Sequence, residues 1–203
     1  MKITAIKQQV KNPERVSIFV DEKYSFSLTL DEVLKHKIKL GLEVDRADVK
    51  RLQKISTDGK LRMRSLEWLM SRPRSTREFR DYLYRKKVEP QLIEELIAEF
   101  TGRGYLDDRR FAKWFIELLH RRRKSNRAVQ AELFKKGIDR ELVGEIMSAE
   151  QEDEMSRLRA VIEKKSGLPR YRKDPKKLTE YLIRQGFSWG LVKEALEISQ
   201  PED

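Results

Sequence analysis

The chain has 203 residues, 39% of them charged and 38% hydrophobic, and its 45 Lys and Arg residues outnumber 34 Asp and Glu residues, giving a net charge of +11. Such a composition allows only a thin core, typical of a helical repeat array rather than a globular enzyme, and the charge favours a polyanion or an acidic protein surface as partner. The lack of cysteine excludes disulfides, thiol catalysis and Fe–S clusters, and it fits a reducing cytoplasm.

The first sixty residues predict a small module of strands and helices. Residues 16–20 and 24–28 are β-rich runs, and the short polar link between them predicts a hairpin, with residues 3–10 as a third strand. Two short helices are expected to follow within the same module.

Aspartates mark the starts of these two helices. Asp31 is expected to cap a helix that stops near Gly41, and Asp45 to cap a second helix that runs to about Gln53. The polar stretch 56–59 then ends the module. We therefore place the β-plus-α module at 1–60.

From about Leu61 onward the pattern is helical, and it repeats. Shifts of 50 and then 49 residues align seven columns that remain apolar in all three copies. Their spacing predicts two amphipathic helices joined by a short turn. The turn position is Lys87, Gly137 and Gly186, where glycine is the expected helix C-cap. The columns are Phe79, Leu83, Val88, Leu92, Ile93, Leu96 and Ile97, then Val129, Leu133, Ile138, Leu142, Val143, Ile146 and Met147, then Leu178, Leu182, Phe187, Leu191, Val192, Ala195 and Leu196.

A leading helix precedes each pair of helices. We therefore expect three tandem three-helix repeats, at 61–108, 109–150 and 151–203. The third repeat contains an additional loop at 166–171. The apolar residues of the leading helices are Leu66, Leu69 and Met70, then Phe111, Phe115, Ile116 and Leu119, then Leu158, Val161 and Ile162.

Polar residues are placed as helix caps. Ser75, Ser125 and Asp174 share the column before each middle helix and predict N-caps. Asp107 and Asp108 could form a paired-carboxylate site for acid–base chemistry. Their place before a helix instead favours an N-cap and a first-turn charge.

Basic residues also recur in columns of the repeat. On the middle helix, Arg77 and Arg85 are about 80° apart and lie opposite the apolar residues. A helix N-terminus with a basic first turn attracts anions, so we interpret the columns as an anion-facing edge. Solvated helix surface balanced by Glu is the alternative interpretation. With the basic run 121–124, the candidate DNA- or filament-binding residues are Arg74, Arg77, Arg85, Arg121, Arg122, Arg123, Lys124, Arg127, Lys135, Lys136, Arg172, Lys173, Lys176 and Arg184.

The last helix of each repeat is acidic on its polar face. If this helix entered the major groove, its carboxylates would crowd the phosphates. We therefore expect the repeats not to act as sequence readers. The acidic residues are Glu94, Glu95 and Glu99, then Glu141 and Glu145, then Glu194 and Glu197.

Other motifs do not indicate an enzyme. His36 and His120 lie apart in basic surroundings, which is typical of surface residues. Gly102 and Gly104 lack the Lys-Ser/Thr of a phosphate-binding loop. The chain has no apolar run near the ~18 residues that span a membrane and no signal-peptide core at its N-terminus. We expect no catalytic residues, no metal ion, no cofactor and no membrane partner.

Four segments of the repeats carry a resemblance to a known family. They are Ser65-Leu66-Glu67-Trp68-Leu69 with Arg72-Pro73-Arg74-Ser75, Gly104-Tyr105-Leu106-Asp107-Asp108-Arg109-Arg110-Phe111-Ala112, Leu133-Phe134-Lys135-Lys136-Gly137-Ile138 and Leu182-Ile183-Arg184-Gln185-Gly186-Phe187. Over about 61–199 the chain resembles the RecX family, bacterial regulatory proteins of the RecA recombinase. The β module resembles the N-terminal extension of some members. Lys87 departs from the family pattern, as does Asn126, where a glycine would be common.

The resemblance implies a mainly α fold, an elongated and curved array of tandem three-helix repeats preceded by the small β-hairpin and α module. It implies a non-enzymatic protein that binds along the groove of a RecA–DNA filament and limits filament growth, strand exchange and co-protease activity. We expect contact with single- and double-stranded DNA without strong sequence preference, a monomer, and a cytoplasmic location. The alternative is a helical-repeat protein that acts on DNA directly, as a transcription factor does.

Overall fold

The computed structural model describes residues 1–149 and 153–198. The chain divides into two compact units, Met1–Ser71 and Arg72–Asp203. The predicted limit between the second and third repeats, at 150/151, lies outside the described residues.

The first unit begins with an antiparallel sheet in the order β1-β2-β3, formed by β1 (Ile3–Gln9), β2 (Asn12–Val20) and β3 (Lys23–Thr29). The predicted hairpin and third strand are therefore confirmed. Asp21 and Glu22 connect β2 to β3 with φ of 46° and 67°, the left-handed conformation that suits a two-residue hairpin turn. The apolar side chains of one sheet face form the core of this unit with Ile38, Val44 and Leu52.

The first helix, α1 (Leu30–Lys35), begins earlier than predicted because a different residue caps it. The Thr29 hydroxyl accepts a hydrogen bond from the Glu32 backbone N–H at 3.1 Å, and the Glu32 carboxylate accepts one from the Thr29 N–H at 2.8 Å. This reciprocal capping box fixes the helix start. The prediction of Asp31 as the cap was wrong, since Asp31 lies in the first turn, and the helix ends well before Gly41.

The second helix, α2 (Arg46–Met70), is much longer than predicted. Asp45 caps it as expected, but the predicted end near Gln53 was wrong. The Ser56 hydroxyl accepts a hydrogen bond from the Ser27 backbone N–H of β3 at 3.3 Å. This polar residue, in the stretch predicted to end the module, therefore joins the helix to the sheet, and α2 continues through the predicted module limit at 60/61.

The remaining described helices follow the predicted repeat pattern, and the mainly α fold with tandem three-helix repeats after a β module is confirmed. They are α3 (Thr76–Arg85) and α4 (Pro90–Gly102), then α5 (Asp108–Arg121), α6 (Asn126–Lys135) and α7 (Arg140–Ser148), then α8 (Glu154–Ser166), α9 (Pro169–Arg172), α10 (Pro175–Arg184) and α11 (Trp189–Ile198). The short helix α9 begins within 166–171, the segment predicted as an additional loop, and ends one residue beyond it.

The aligned apolar columns form the cores of the repeats. All of their residues are buried or half-buried, and in the first repeat the rings of Phe79 and Phe100 meet edge to face, 5.6 Å apart. Burying one such large side chain contributes about 1.5–3 kcal/mol to folding. Met70, predicted as an apolar residue of a leading helix, is instead 71% exposed.

Candidate nucleic-acid interface

The middle helices α3 and α6 begin at serines, as predicted. Ser75 Oγ and Ser125 Oγ each accept a hydrogen bond from the backbone N–H three residues later, at 3.0 and 3.1 Å. Each serine thereby satisfies one of the N–H groups left free at a helix start. Asp174 occupies the same position before α10 but makes no capping bond. Its carboxylate pairs with Lys177 at 3.1 Å, which lowers the pKa of Asp174.

The serine caps also lie where successive repeats meet. Ser75 Oγ donates a hydrogen bond to the carbonyl of Lys136 at 2.8 Å, just after the end of α6. The backbone N–H of Ser125 donates to the carbonyl of Gln185 at 3.0 Å, just after the end of α10. In both places the N-terminus of one middle helix meets the C-terminus of the next repeat's middle helix. We call these two contacts the repeat joints.

Gly137 and Gly186 lie at the closest approach in the repeat joints, with φ of +77° and +98°. A Cβ on Gly137 would lie 2.8 Å from Cβ of Arg77, and one on Gly186 would lie 2.5 Å from Oγ of Ser125. Glycine is thus required both for the left-handed backbone and for the close contact. Lys87, the equivalent residue of the first repeat, has φ of +57° but is exposed, because no earlier repeat within this chain packs on it.

An acidic residue from the next leading helix completes each joint. The Asp108 carboxylate accepts a hydrogen bond from the Thr76 backbone N–H at 2.8 Å, and the Glu154 carboxylate accepts one from the Asn126 N–H at 2.7 Å. The helix dipole favours these negative charges. Asp107 caps α5 as predicted, whereas Asp108 also serves the preceding repeat. The N-termini of α3 and α6 are therefore already occupied by the protein's own carboxylates, so the idea that their N–H groups attract anions does not hold.

The first repeat joint contains an ionic cluster centred on Glu78. Arg72 makes two hydrogen bonds to this carboxylate, at 3.0 and 3.2 Å, and Lys136 Nζ lies 2.7 Å from Oε1. The Arg72 guanidinium also lies 5.2 Å from the centre of the Trp114 ring. Burial raises the pKa of Glu78, but the hydrogen bonds from Arg72 and Lys136 outweigh it and lower the pKa below its ordinary value.

The predicted binding residues fall into two groups by exposure. Arg74, Arg123, Lys124 and Lys136 are half-buried. Lys136 holds Glu78, and burial followed by the charge of Arg72 lowers the pKa of Arg74. The exposed residues are Arg77, Arg85, Arg121, Arg122, Arg127, Lys135, Arg172, Lys173, Lys176 and Arg184.

Two of the exposed residues have an acidic partner on their own helix. Lys135 lies 2.8 Å from Glu132, and Arg184 lies 3.7 Å from Glu180. Exposed pairs of this kind are weak, so both cations can exchange these partners for an external anion.

The repeat joints bring together cations that the sequence placed in different columns. The side-chain carbons of Arg77 pack on Gly137, which directly follows Lys135 and Lys136. At the second joint, Lys124 and Arg184 each precede one of the two residues whose backbones are hydrogen-bonded. Arg85, at the end of α3, does not lie at a joint, and neither do Arg172 and Lys173 before α10 or Lys176 in its first turn.

Part of the acidic charge on the third helices is neutralised within the repeats. Arg80 reaches Glu94 on α4 at 2.8 Å, and Arg109 reaches Glu145 on α7 at 2.6 Å. These hydrogen bonds lower the pKa of both carboxyl groups. The acidic surface available to a partner is therefore smaller than the sequence suggests.

Sequence reasoning missed Arg72, Glu78 and Glu154 as residues of the joints. Lys136 and Glu78 are 58 residues apart and Glu154 and Asn126 are 28 apart, beyond the reach of helical periodicity. The only available signal was that Asp108 and Glu154 both stand at the first position of a leading helix.

Residues 1–149 and 153–198 hold no group of three or more His, Asp or Glu side chains that could bind a metal ion. This part of the chain also contains no helix that is both long enough and apolar enough to cross a membrane.

Family models match three parts of the chain. The N-terminal domain of the regulatory protein RecX matches residues 1–45, the second RecX three-helix domain matches 107–147 and the third matches 152–196. The regulatory protein RecX of Bacillus licheniformis is 34% identical over 99% of this chain and 78% of its own length. That of Listeria monocytogenes is 31% identical over 96% of this chain and 74% of its own length.

Two solved structures share the fold. A crystal structure of regulatory protein RecX has a TM-score of 0.71 at 20% identity and covers 95% of this chain and 98% of its own. The crystal structure of RecX from Lactobacillus salivarius has a TM-score of 0.57 at 20% identity, over 69% of this chain and 94% of its own.

The fold and the joints define a repeat protein, built from tandem three-helix domains behind a small β module. The chain belongs to the RecX family of regulatory proteins, and the resemblance read from its motifs is confirmed.

Proposed function

We propose that this protein regulates the RecA recombinase by binding along the RecA–DNA filament, where it limits filament growth, strand exchange and co-protease activity. It acts as a cytoplasmic monomer and without catalysis. It contacts single- and double-stranded DNA with little sequence preference.

One observation supports this proposal most directly. Exposed cations recur at equivalent positions of repeats that pack on each other through equivalent contacts. Arg77, Arg127 and Lys176 occupy one position in the first turn of the three middle helices, and all three are exposed. Ser75 and Ser125 hold successive repeats together through equivalent contacts. A filament presents the same groups again and again, so repeated cations suit such a partner.

In the proposed mechanism, several weak contacts on different repeats share the binding energy. Each exposed ion pair contributes about 0.2–1 kcal/mol, so one repeat binds weakly. Once one repeat has bound, the contacts of the next are intramolecular, and avidity raises the total affinity. Binding to phosphates releases counterions, which makes the affinity fall steeply as salt rises.

RecA ATP hydrolysis and strand exchange test the proposal, each measured with increasing amounts of the full chain. We expect wild-type protein to lower both rates. The variant R77Q/R127Q/K176Q should need about tenfold more protein for half-inhibition, because three weak ion pairs are lost. Glutamine keeps the Cβ, Cγ and Cδ atoms of Arg77 that pack on Gly137, so the repeat joint is preserved.

The matched control is K113Q/K164Q/K193Q, which removes three exposed lysines from first and third helices. It should inhibit as well as wild type does. The proposal fails if wild-type protein leaves both rates unchanged or if the two variants behave alike. Strong preference for one duplex sequence, with no effect on RecA, would favour direct action on DNA.

A further inference from the structure

Helix α2 in the first unit carries a row of cations that the repeats do not explain. At about 100° per residue, taking Arg46 as 0°, Lys50 and Lys54 lie at about 40° and 80°, Lys60 at about −40°, and Arg64 again near 0°. All five side chains therefore emerge within a sector of about 120° on one side of the helix. We call them the α2 basic stripe.

The stripe is open to solvent along most of its length. Arg46, Lys50, Lys54 and Arg64 are exposed, and Lys60 is half-buried. The buried residues of α2 emerge elsewhere: Leu52 lies at about −120° and Leu69 at about 140° on the same scale. The first unit thus uses the other sides of α2 for its core, and on this side Gln53 Nε2 donates hydrogen bonds to the carbonyl and hydroxyl oxygens of Ser25 in β3, at 3.5 and 3.3 Å.

The charge of the stripe has a single sign. The acidic residues of α2 are Asp48, Asp58 and Glu67, which lie at about 200°, 120° and −60°, so Glu67 borders the sector and the other two lie well outside it. Asp48 pairs with Arg51, away from the stripe, at 3.1 Å. A solvated helix surface usually mixes both signs in pairs four residues apart, and this side of α2 does not.

The spacing of the cations suits a linear polyanion. At about 1.5 Å per residue, Arg46 and Arg64 are about 27 Å apart along the helix, and Arg46, Lys50 and Lys54 follow each other at about 6 Å. Each strand of duplex DNA presents a phosphate about every 3.4 Å of its axis. A helix of this length can therefore lie beside several phosphates at once.

The composition of the stripe favours nucleic acid over an acidic protein. Protein interfaces have an apolar or aromatic centre, but the side chains between the cations of this sector are the exposed Gln53 and Thr57 and the half-buried Leu61. We infer that the α2 basic stripe is a contact surface for the phosphate backbone of DNA, bound without sequence readout because phosphate contacts carry no base information. This contact does not depend on RecA.

Fluorescence anisotropy of a labelled duplex of about 30 base pairs tests the inference, with the full chain and no RecA, between about 50 and about 300 mM salt. The variant is R46Q/K50Q/K54Q/R64Q, since glutamine is a good helix former. Each lost phosphate contact reduces the slope of log K against log salt by about 0.9, so the slope should fall by about 3 to 4. The dissociation constant at low salt should rise at least about tenfold.

The matched control is K11Q/K23Q/K35Q/K39Q, which removes four exposed lysines from elsewhere in the first unit. This control should keep most of the wild-type slope of log K against log salt. Circular dichroism melts check that both variants fold. If the quadruple variant is unstable, K50Q/K54Q should reduce the slope by about half as much.

Three outcomes overturn the inference. Equal loss in variant and control would mean that only net charge matters, and unchanged DNA binding would mean that the stripe does not face DNA. If DNA binding is unchanged and a separate pull-down shows that the variant no longer binds RecA, the stripe belongs to a protein partner. Because the assay omits RecA, its failure is distinct from failure of the filament proposal.

Discussion

Glu78 holds charges from two repeats in one place. Its side chain is 13% exposed and receives hydrogen bonds from Arg72 of its own repeat and Lys136 of the next. In E78Q both cations lose their carboxylate in a half-buried site. We expect the free energy of unfolding to fall by about 1–3 kcal/mol, as measured by urea titration near neutral pH.

The effect of E78Q should depend on pH, because the pKa of Glu78 is lowered in the folded protein. A carboxylate with a lowered pKa contributes stability that is complete above its unfolded value, near 4.5, and is lost as the pH falls through the folded value. The difference in unfolding free energy between wild type and E78Q should therefore be largest near pH 6 and shrink toward pH 3. A difference that does not change with pH would contradict the ionic role of Glu78.

Glu94 supplies the control for this titration. Its carboxylate also pairs with an arginine, Arg80, but the pair is exposed and lies within one repeat. Because solvent screens exposed pairs, E94Q should change the stability much less than E78Q does. Equal losses from E94Q and E78Q would argue against a special role for the repeat joint.

At the scale of elements, the repeat joints make two glycines obligatory. In G137A the new methyl group would meet Arg77 at 2.8 Å and force an alanine into φ of +77°. The left-handed conformation costs about 1–2 kcal/mol, so we expect G137A to lower the unfolding free energy by at least about 1 kcal/mol in thermal or urea melts. G186A should cost at least as much, because its methyl would lie 2.5 Å from Oγ of Ser125 and 2.7 Å from Cβ of Ala128.

Gly144 in α7 provides the matched substitution in the same repeat as Gly137. It lies within a helix, and a Cβ there would meet nothing within 4 Å. G144A should therefore stabilise the protein by about 0.5–1 kcal/mol, because alanine has the higher helix propensity. If G137A and G144A shift stability in the same direction, the close contact at the joint is not what selects glycine.

The elements show which parts of this structure a sequence can predict. The apolar columns were predictable because helical burial depends on local periodicity, and Leu83, Leu133 and Leu182 are all fully buried. The length of α2 was not predictable, because the hydrogen bond from Ser27 to Ser56 reverses the usual meaning of a polar residue. Tertiary contacts of this kind override local propensity.

The residues of the candidate site divide in the same way, into those that local sequence predicts and those that depend on tertiary contacts. Exposure of Arg77 and Arg127 could be predicted from their angle to the apolar columns. The internal use of Lys136 could not, because its partner Glu78 is 58 residues away. A tertiary reason also explains why the first repeat can have a lysine at position 87. No neighbouring repeat packs on the turn that contains Lys87, so a side chain fits there, whereas glycine is required at this position in the later repeats.

For the whole molecule, the repeated architecture predicts a graded response. If the repeats share the binding of one filament, then R77Q, R127Q and K176Q should each raise the concentration for half-inhibition of RecA by about twofold to threefold, an effect of one weak ion pair. Free-energy changes at separated positions add, so the triple variant should show about the product of the single effects.

If the loss of inhibition were not shared among the three single variants, the mechanism would be different. If R127Q alone reproduced the loss seen in the triple variant, binding would rest on the middle repeat, and the other repeats would serve to place it. Because each repeat contributes an exposed cation at the same helical position, equal contributions are expected, and avidity rather than one strong contact should hold the protein on its filament.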